Sequence, residues 1–169
     1  MEEYQNIIKD LLEKEEVKEM NNYRHHFDIS CLEHSNHVAY YSYLISKKHN
    51  LNYEELTRAA LLHDLFLYDW HTHKCPKGFT NMHGFSHPKE ALKNAKKITK
   101  ISDMQEDVIV KHMWPLTVKL PKYKETWIIT LTDKIATISE YLEYKKKTRN
   151  SKILLPVLES LLIILIIKL

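Results

Sequence analysis

Two glycines in 169 residues, Gly78 and Gly84, leave this chain few places to make the tight turns that a β-rich fold needs. Five prolines add little further punctuation, so long helices joined by a few connections are the expected solution. The residues AVILMFWYC make up 44% of the chain, enough for the core of one domain, or of one domain with an appendage. The fold class expected is all-α, a compact multi-helix bundle.

Charge narrows the partners. Lysine and arginine total 25 against 22 acids, a formal net charge of +3, and the basic residues are scattered among the acids. No electrostatic case for nucleic acid arises from that pattern. Cys31 and Cys75 form neither a CxxC pair nor a disulfide framework, which fits a reducing, cytoplasmic setting. Met1-Glu2-Glu3-Tyr4 is acidic and no apolar run follows it, so a signal peptide is not expected. The 11 histidines are many for this length, and histidine is the commonest metal-binding side chain.

Apolar periodicity lays out the helices. Tyr4, Ile7, Ile8, Leu11 and Leu12 predict an amphipathic helix over residues 3–20. Asn21 to Ser30 reads as a polar connection, with His25 and His26 in a solvated loop. A second helix is expected from Cys31 to Lys48, with His34, Val38, Tyr41 and Ile45 on one stripe and His37 on another. Asn52 followed by Glu55 opens a third helix in the manner of a capping box, and that helix ends at His63-Asp64. Leu56, Ala60 and His63 share a face, so His63 is expected to point toward the core.

Residues 68–87 read as a long connection carrying His71, His73, His83 and His87, and connections of that length are often functional. Pro88 is placed as the first residue of a fourth helix. Ser102 to Gln105 is a second capping box, starting a helix that reaches His112. The last long helix of the domain spans about Tyr123 to Tyr144, and Asp133 is the lone acid of its apolar stretch from Thr126 to Ser139. The domain is set at residues 1–145. Residues 146–169 form a basic break and an apolar C-terminal helix, expected to pack on the domain or to make a homodimer contact. Its longest unbroken apolar run, Leu161 to Ile167, is short of the ~20 residues that span a bilayer. Contact with a membrane surface is the alternative for that tail.

His34 in EHSNHVAYYSYLIS, His63-Asp64 in AALLHDLF and Asp133 in LTDKIA together resemble the H…HD…D signature of the HD superfamily of metal-dependent phosphohydrolases. The resemblance covers roughly residues 25–145. The blocks LLHDLFLYDW, HPKEALKNA and KHMWPLT are further similar to small stand-alone bacterial HD-domain proteins. The resemblance implies one metal ion held by His34, His63, Asp64 and Asp133. A second would take Asp64, His87 and His112, with His83 as a substitute or neighbour, and Asp64 would bridge the two. His63 and Asp64 would stand at the reacting centre. No GYP segment follows His112, which counts against a cyclic-dinucleotide phosphodiesterase.

Imidazole with carboxylate suits one or two divalent ions of Mn, Fe, Co, Ni or Zn. Such ions activate water and clamp an in-line displacement. The activity implied is hydrolysis of a small phosphate ester, a nucleotide among the candidates. Arg24, Lys111 and Lys134 are the first candidates to meet its phosphate, with Lys119 and Lys122 behind them. The same ligand set also serves HD-fold di-iron oxygenases, and a non-catalytic nucleotide-binding module is the reading outside enzymology.

Overall fold

The structure, a computed structural model, describes residues 1–72 and 83–148. Among the described residues there are seven α-helices, one 3-10 turn and no strand. The helices are α1 (Glu2–Leu12), α2 (Glu15–Glu19), α3 (Cys31–Lys48), α4 (Tyr53–Leu62), α5 (His83–Ile98), α6 (Asp103–Lys111) and α7 (Lys124–Thr148), with the 3-10 turn at Met20–Asn22.

The helix expected over residues 3–20 is broken in two. Lys14 is extended, with ψ 135°, and caps α2. The bend turns Val17 and Met20 into the same core that α1 reaches with Tyr4, Ile8 and Leu11. Arg58 fastens α4 to α1. It donates to both carboxylate oxygens of Asp10, at 2.6 and 2.8 Å, and to the Ile7 carbonyl at 2.7 Å.

The limits of α3 are those the sequence predicts, and its ends show why. Ser30 accepts from the Glu33 N–H while Glu33 accepts from the Ser30 N–H, a complete capping box. At the other end Asn50 takes a positive φ of 53°, and the Leu51 N–H closes back on the Ser46 carbonyl at 3.0 Å. Asn52 caps α4, and Ser102 with Gln105 forms the capping box of α6.

Two boundaries differ from the expectation. Helix α5 already includes His83, so Pro88 lies inside it rather than at its first position. The turn before Pro88 carries His83 and His87, and the His87 Nδ1–H donates to the His83 carbonyl at 2.8 Å. Helix α7 runs on through Lys145–Lys147 to Thr148, so the basic run does not break it. The apolar C-terminal helix expected beyond it, together with His73 and Cys75, lies outside the described residues.

Helix α3 packs against α4 and α7, α4 against α6, and α6 against both α5 and α7. Ala39, Ala59, Ala60, Ala91, Ala95 and Ala136 are buried where these helices meet, and their small side chains let the backbones approach. Phe66, Leu56, Leu61, Leu62, Ile109 and Ile129 fill the centre. No helix among the described residues is long and apolar enough to cross a membrane.

Candidate metal centre

A cluster of histidines and carboxylates is buried at the point where the ends of α4 and α6 meet α3, α5 and α7. His63 caps the C-terminus of α4 and His112 that of α6. His34 comes from α3, His87 from α5 and Asp133 from the middle of α7. Asp64 follows His63 directly. Three overlapping groups have donor atoms close enough to share a metal ion: His34, His63 and Asp133; His63, Asp64 and His112; and His25, His34 and Asp64. His87 joins them at 3.2 Å from Asp64 Oδ1 and 3.0 Å from His112 Nε2.

The sequence-predicted set His34, His63, Asp64, His87, His112 and Asp133 is therefore brought together in space. Asp64 divides its two oxygens. Oδ2 faces His25 at 2.8 Å and His63 at 3.5 Å, while Oδ1 faces His87 at 3.2 Å and His112 at 3.5 Å.

Which nitrogen each ring presents is fixed by its other nitrogen. The Nδ1–H groups of His63, His87 and His112 donate to the carbonyls of Ala60, His83 and Ile109, at 2.7, 2.8 and 2.8 Å. Each Nε2 is then left with its lone pair toward the cluster, the tautomer a metal ligand needs. His63 Nε2 is buried and makes no hydrogen bond, and neither does Asp64 Oδ1. With both Nδ1 atoms protonated, His87 and His112 turn Nε2 lone pairs on each other at 3.0 Å. Such a contact requires a proton or a metal cation between the rings. Unsatisfied buried acceptors converging on one point fit a divalent ion, which compensates them together.

The charges agree. Burial pushes the Asp64 carboxyl up, but the imidazoles of His63, His87 and His25 outweigh it and hold the group well below the usual range. Asp133 is pulled the same way: burial raises it, and the His34 hydrogen bond and neighbouring imidazoles bring it down. Burial also lowers His34, yet Asp133 and Glu140 on either side lift it to about 10. His112 has no such pair of partners. Burial, and then His63 beside it, push it down to about 3.

Above the cluster is a cavity of roughly 270 Å³ lined by Asp64, His87, His112 and Asp133 on its floor. Trp70, His83, Met113, Trp114 and Leu116 form its apolar and aromatic walls, and Lys134 and Thr137 lie at its side. Of the three predicted phosphate-binding cations, Lys134 alone lines this cavity. Lys111 is engaged elsewhere, paired with Asp107 and donating to the Leu120 carbonyl at 2.9 Å. Arg24 is exposed and does not line the cavity. The second-rank pair, Lys119 and Lys122, are exposed and do not line it either.

Two residues of the site escaped the sequence reading. His25, expected in a solvated loop, is buried, stacks on His34 at 3.8 Å between ring centroids, and bonds Asp64. The Trp70 indole N–H donates to the His25 carbonyl and holds the loop down. No local pattern announces that fold-back. Glu140 binds His34 Nδ1 at 3.0 Å from the far side, and its spacing of seven residues from Asp133 was a usable signal.

Comparison with curated proteins returns no match. The HD domain family model matches residues 31–143, a span that takes in His34, His63, Asp64, His87, His112 and Asp133. A match over that share of the chain, carrying those residues, makes this protein a member of the HD domain family.

Proposed function

We propose that the chain is a metal-dependent phosphohydrolase that cleaves a small phosphate ester. The observation that carries this reading is the floor of the cavity, where buried imidazoles and carboxylates, among them Asp64 with its unsatisfied Oδ1, meet a space open to a small molecule. His34, His63, Asp64 and Asp133 would hold one divalent ion, and Asp64, His87 and His112 a second, with Asp64 offering one oxygen to each. The donor set suits Mn, Fe, Co, Ni or Zn. Bound there, such ions polarise a phosphoryl oxygen and lower the pKa of a water molecule toward neutrality.

The protein's own residues supply the rest. Lys134 stands beside Asp133 and lines the cavity, where its ammonium can meet a phosphate oxygen. It now donates to the Thr130 carbonyl at 2.9 Å, a bond it can exchange for a charge-assisted one. Trp70, Trp114 and Leu116 exclude bulk water from one side and offer apolar contact to the organic part of the ester. A nucleotide satisfies both halves of that description.

The test is metal analysis of protein purified without chelator, followed by a panel of phosphate esters with Mn, Co, Ni and Mg. The expected result is release of inorganic phosphate that a chelator stops and added metal restores. Bound iron with substrate-dependent oxygen consumption and no phosphate release would replace this reading with an oxygenase.

A further inference from the structure

We propose that Glu140 is a positioning residue for the metal ligand His34, and that His37 holds Glu140 in place. The inference rests on the metal-centre reading above and assigns a role to two residues outside the ligand set. Asp133 and Glu140 are seven residues apart on α7, which is two turns, about 10 Å along the axis on one face. The His34 imidazole lies between them. Its Nε2 is 3.1 Å from Asp133 Oδ1, and its Nδ1 is 3.1 and 3.0 Å from the two oxygens of Glu140.

A neutral imidazole has one N–H. Glu140 accepts from Nδ1, so the hydrogen stays there and the Nε2 lone pair is turned toward Asp133. A lone pair and a carboxylate 3.1 Å apart need a cation between them, a proton or a metal ion. Glu140 thus decides which nitrogen of His34 serves the centre, as the backbone carbonyls do for His63, His87 and His112. A carboxylate partner does it more strongly than a carbonyl, because its negative charge also raises the basicity of the ring.

Glu140 is itself 3% exposed, and a buried carboxylate is costly unless its oxygens are occupied. His37, one turn beyond His34 on α3, donates its Nδ1–H to Glu140 Oε1 at 3.0 Å. The His37 side chain is 43% exposed, so the pair links the surface of α3 to a buried ligand. A hydrophobic residue at 140 would pack against α3 with less desolvation, and its place is instead taken by a charged group with two imidazole partners.

The experiment uses the full chain, stripped with a chelator and titrated with Co(II). Glu140→Gln keeps the shape of the side chain and removes its charge. The expected result is a roughly 10–100-fold weaker Co(II) affinity, alongside a lower melting temperature of the metal-free protein, because His34 loses a buried counter-charge. In Co(II)-loaded protein, one of the far-shifted exchangeable imidazole N–H resonances should move or vanish while the others stay. A merely structural role predicts the lowered metal-free melting temperature alone, with Co(II) affinity at the wild-type value, and that result overturns the proposal. His37→Gln, at a half-exposed position, provides the second arm and should weaken Co(II) binding severalfold. Wild-type affinity in His37→Gln removes His37 from the proposal. Failure of the wild type to bind Co(II) at all overturns the metal centre itself, which separates the two failures.

Discussion

Replacing Asp64 by asparagine keeps the volume of the side chain and removes the charge around which four imidazoles are arranged. In the folded chain Oδ2 is 2.8 Å from His25 Nε2 and 3.5 Å from His63 Nε2, and Oδ1 is 3.2 Å from His87 Nε2 and 3.5 Å from His112 Nε2. His87 shows what this carboxylate does to a neighbouring ring. Burial lowers its pKa, but Asp64 overcomes burial and leaves it above the ordinary histidine value. With asparagine at 64 that ring loses its buried counter-charge. Breaking a buried pair by removing one partner costs about 3–5 kcal/mol. For a chain of this size each kcal/mol moves the melting temperature by roughly 2–4 °C, so the metal-free variant should melt about 6–20 °C lower than wild type.

The assay is thermal unfolding at pH 7 of both proteins after dialysis against a chelator, followed by circular dichroism at 222 nm, about where helices absorb most distinctively. The same samples, reloaded with Mn(II), should differ in elemental analysis, the variant holding neither ion because each oxygen of Asp64 serves a different pair of rings. A metal-free Asp64→Asn protein that melts at or above the wild-type temperature would refute the reasoning. It would mean that the surrounding imidazoles do not compensate the carboxylate.

Two further outcomes follow from the same geometry. His87→Ala and His112→Ala should each halve the Mn(II) stoichiometry and leave the ion held by His34, His63, Asp64 and Asp133, which direct metal analysis at saturating Mn(II) will show. Metal-free stability should also peak near neutral pH. Burial, and then His34 beside His25 and His63 beside His112, hold both rings neutral down to about 3. The unfolded chain takes up those protons near pH 6.5, so stability falls as pH drops from about 6.5 toward 3. His34, raised to about 10, contributes stability that is complete below about pH 6.5 and is lost as pH rises through 10. Denaturant midpoints at pH 5, 7 and 9 check the peak, and a maximum at pH 5 counts against it.

Local signals were strong enough to define most of the fold. Capping residues Asn52 and Ser102 mark two helix starts, and each makes the expected side-chain bond to the backbone three residues on, while Ser30, placed in the preceding connection, caps α3 in the same way. The HD dipeptide at the end of an apolar run, and a lone Asp133 in another, were legible for a related reason. A charged or imidazole side chain on a core-facing stripe demands a partner, and here the partners are one another. What the sequence did not disclose depends on contacts distant along the chain. The loop at His25 is held by Trp70, 45 residues away, and no periodicity reports such a contact. Arg24, Lys111 and Lys134 looked equivalent as cations near motifs. Lys111 is in fact spent on Asp107, one turn back on α6, and on the Leu120 carbonyl. Where a long helix is divided also depends on the rest of the core, as at Lys14, since the apolar pattern from Tyr4 to Met20 is compatible with one helix or two.

The position of the centre at helix ends has a physical consequence for its chemistry. The last carbonyls of a helix lack intrahelical donors, and in α4 and α6 the terminal histidine uses one of them, Ala60 or Ile109, to fix its own tautomer. The sequence thus needs no extra residue to orient His63 or His112; ending the helix with histidine is sufficient. Each of these C-termini also carries the negative end of a helix dipole, equivalent to roughly half an electronic charge. Together with Asp64 and Asp133 they make the floor of the cavity a site for cations and a poor one for a bare phosphate. Under the proposed function, an anionic ester would bind after cations had reversed the sign of that floor, with Lys134 adding a single positive charge at its edge. For the phosphohydrolase proposed above, metal loading would then precede binding of the phosphate ester.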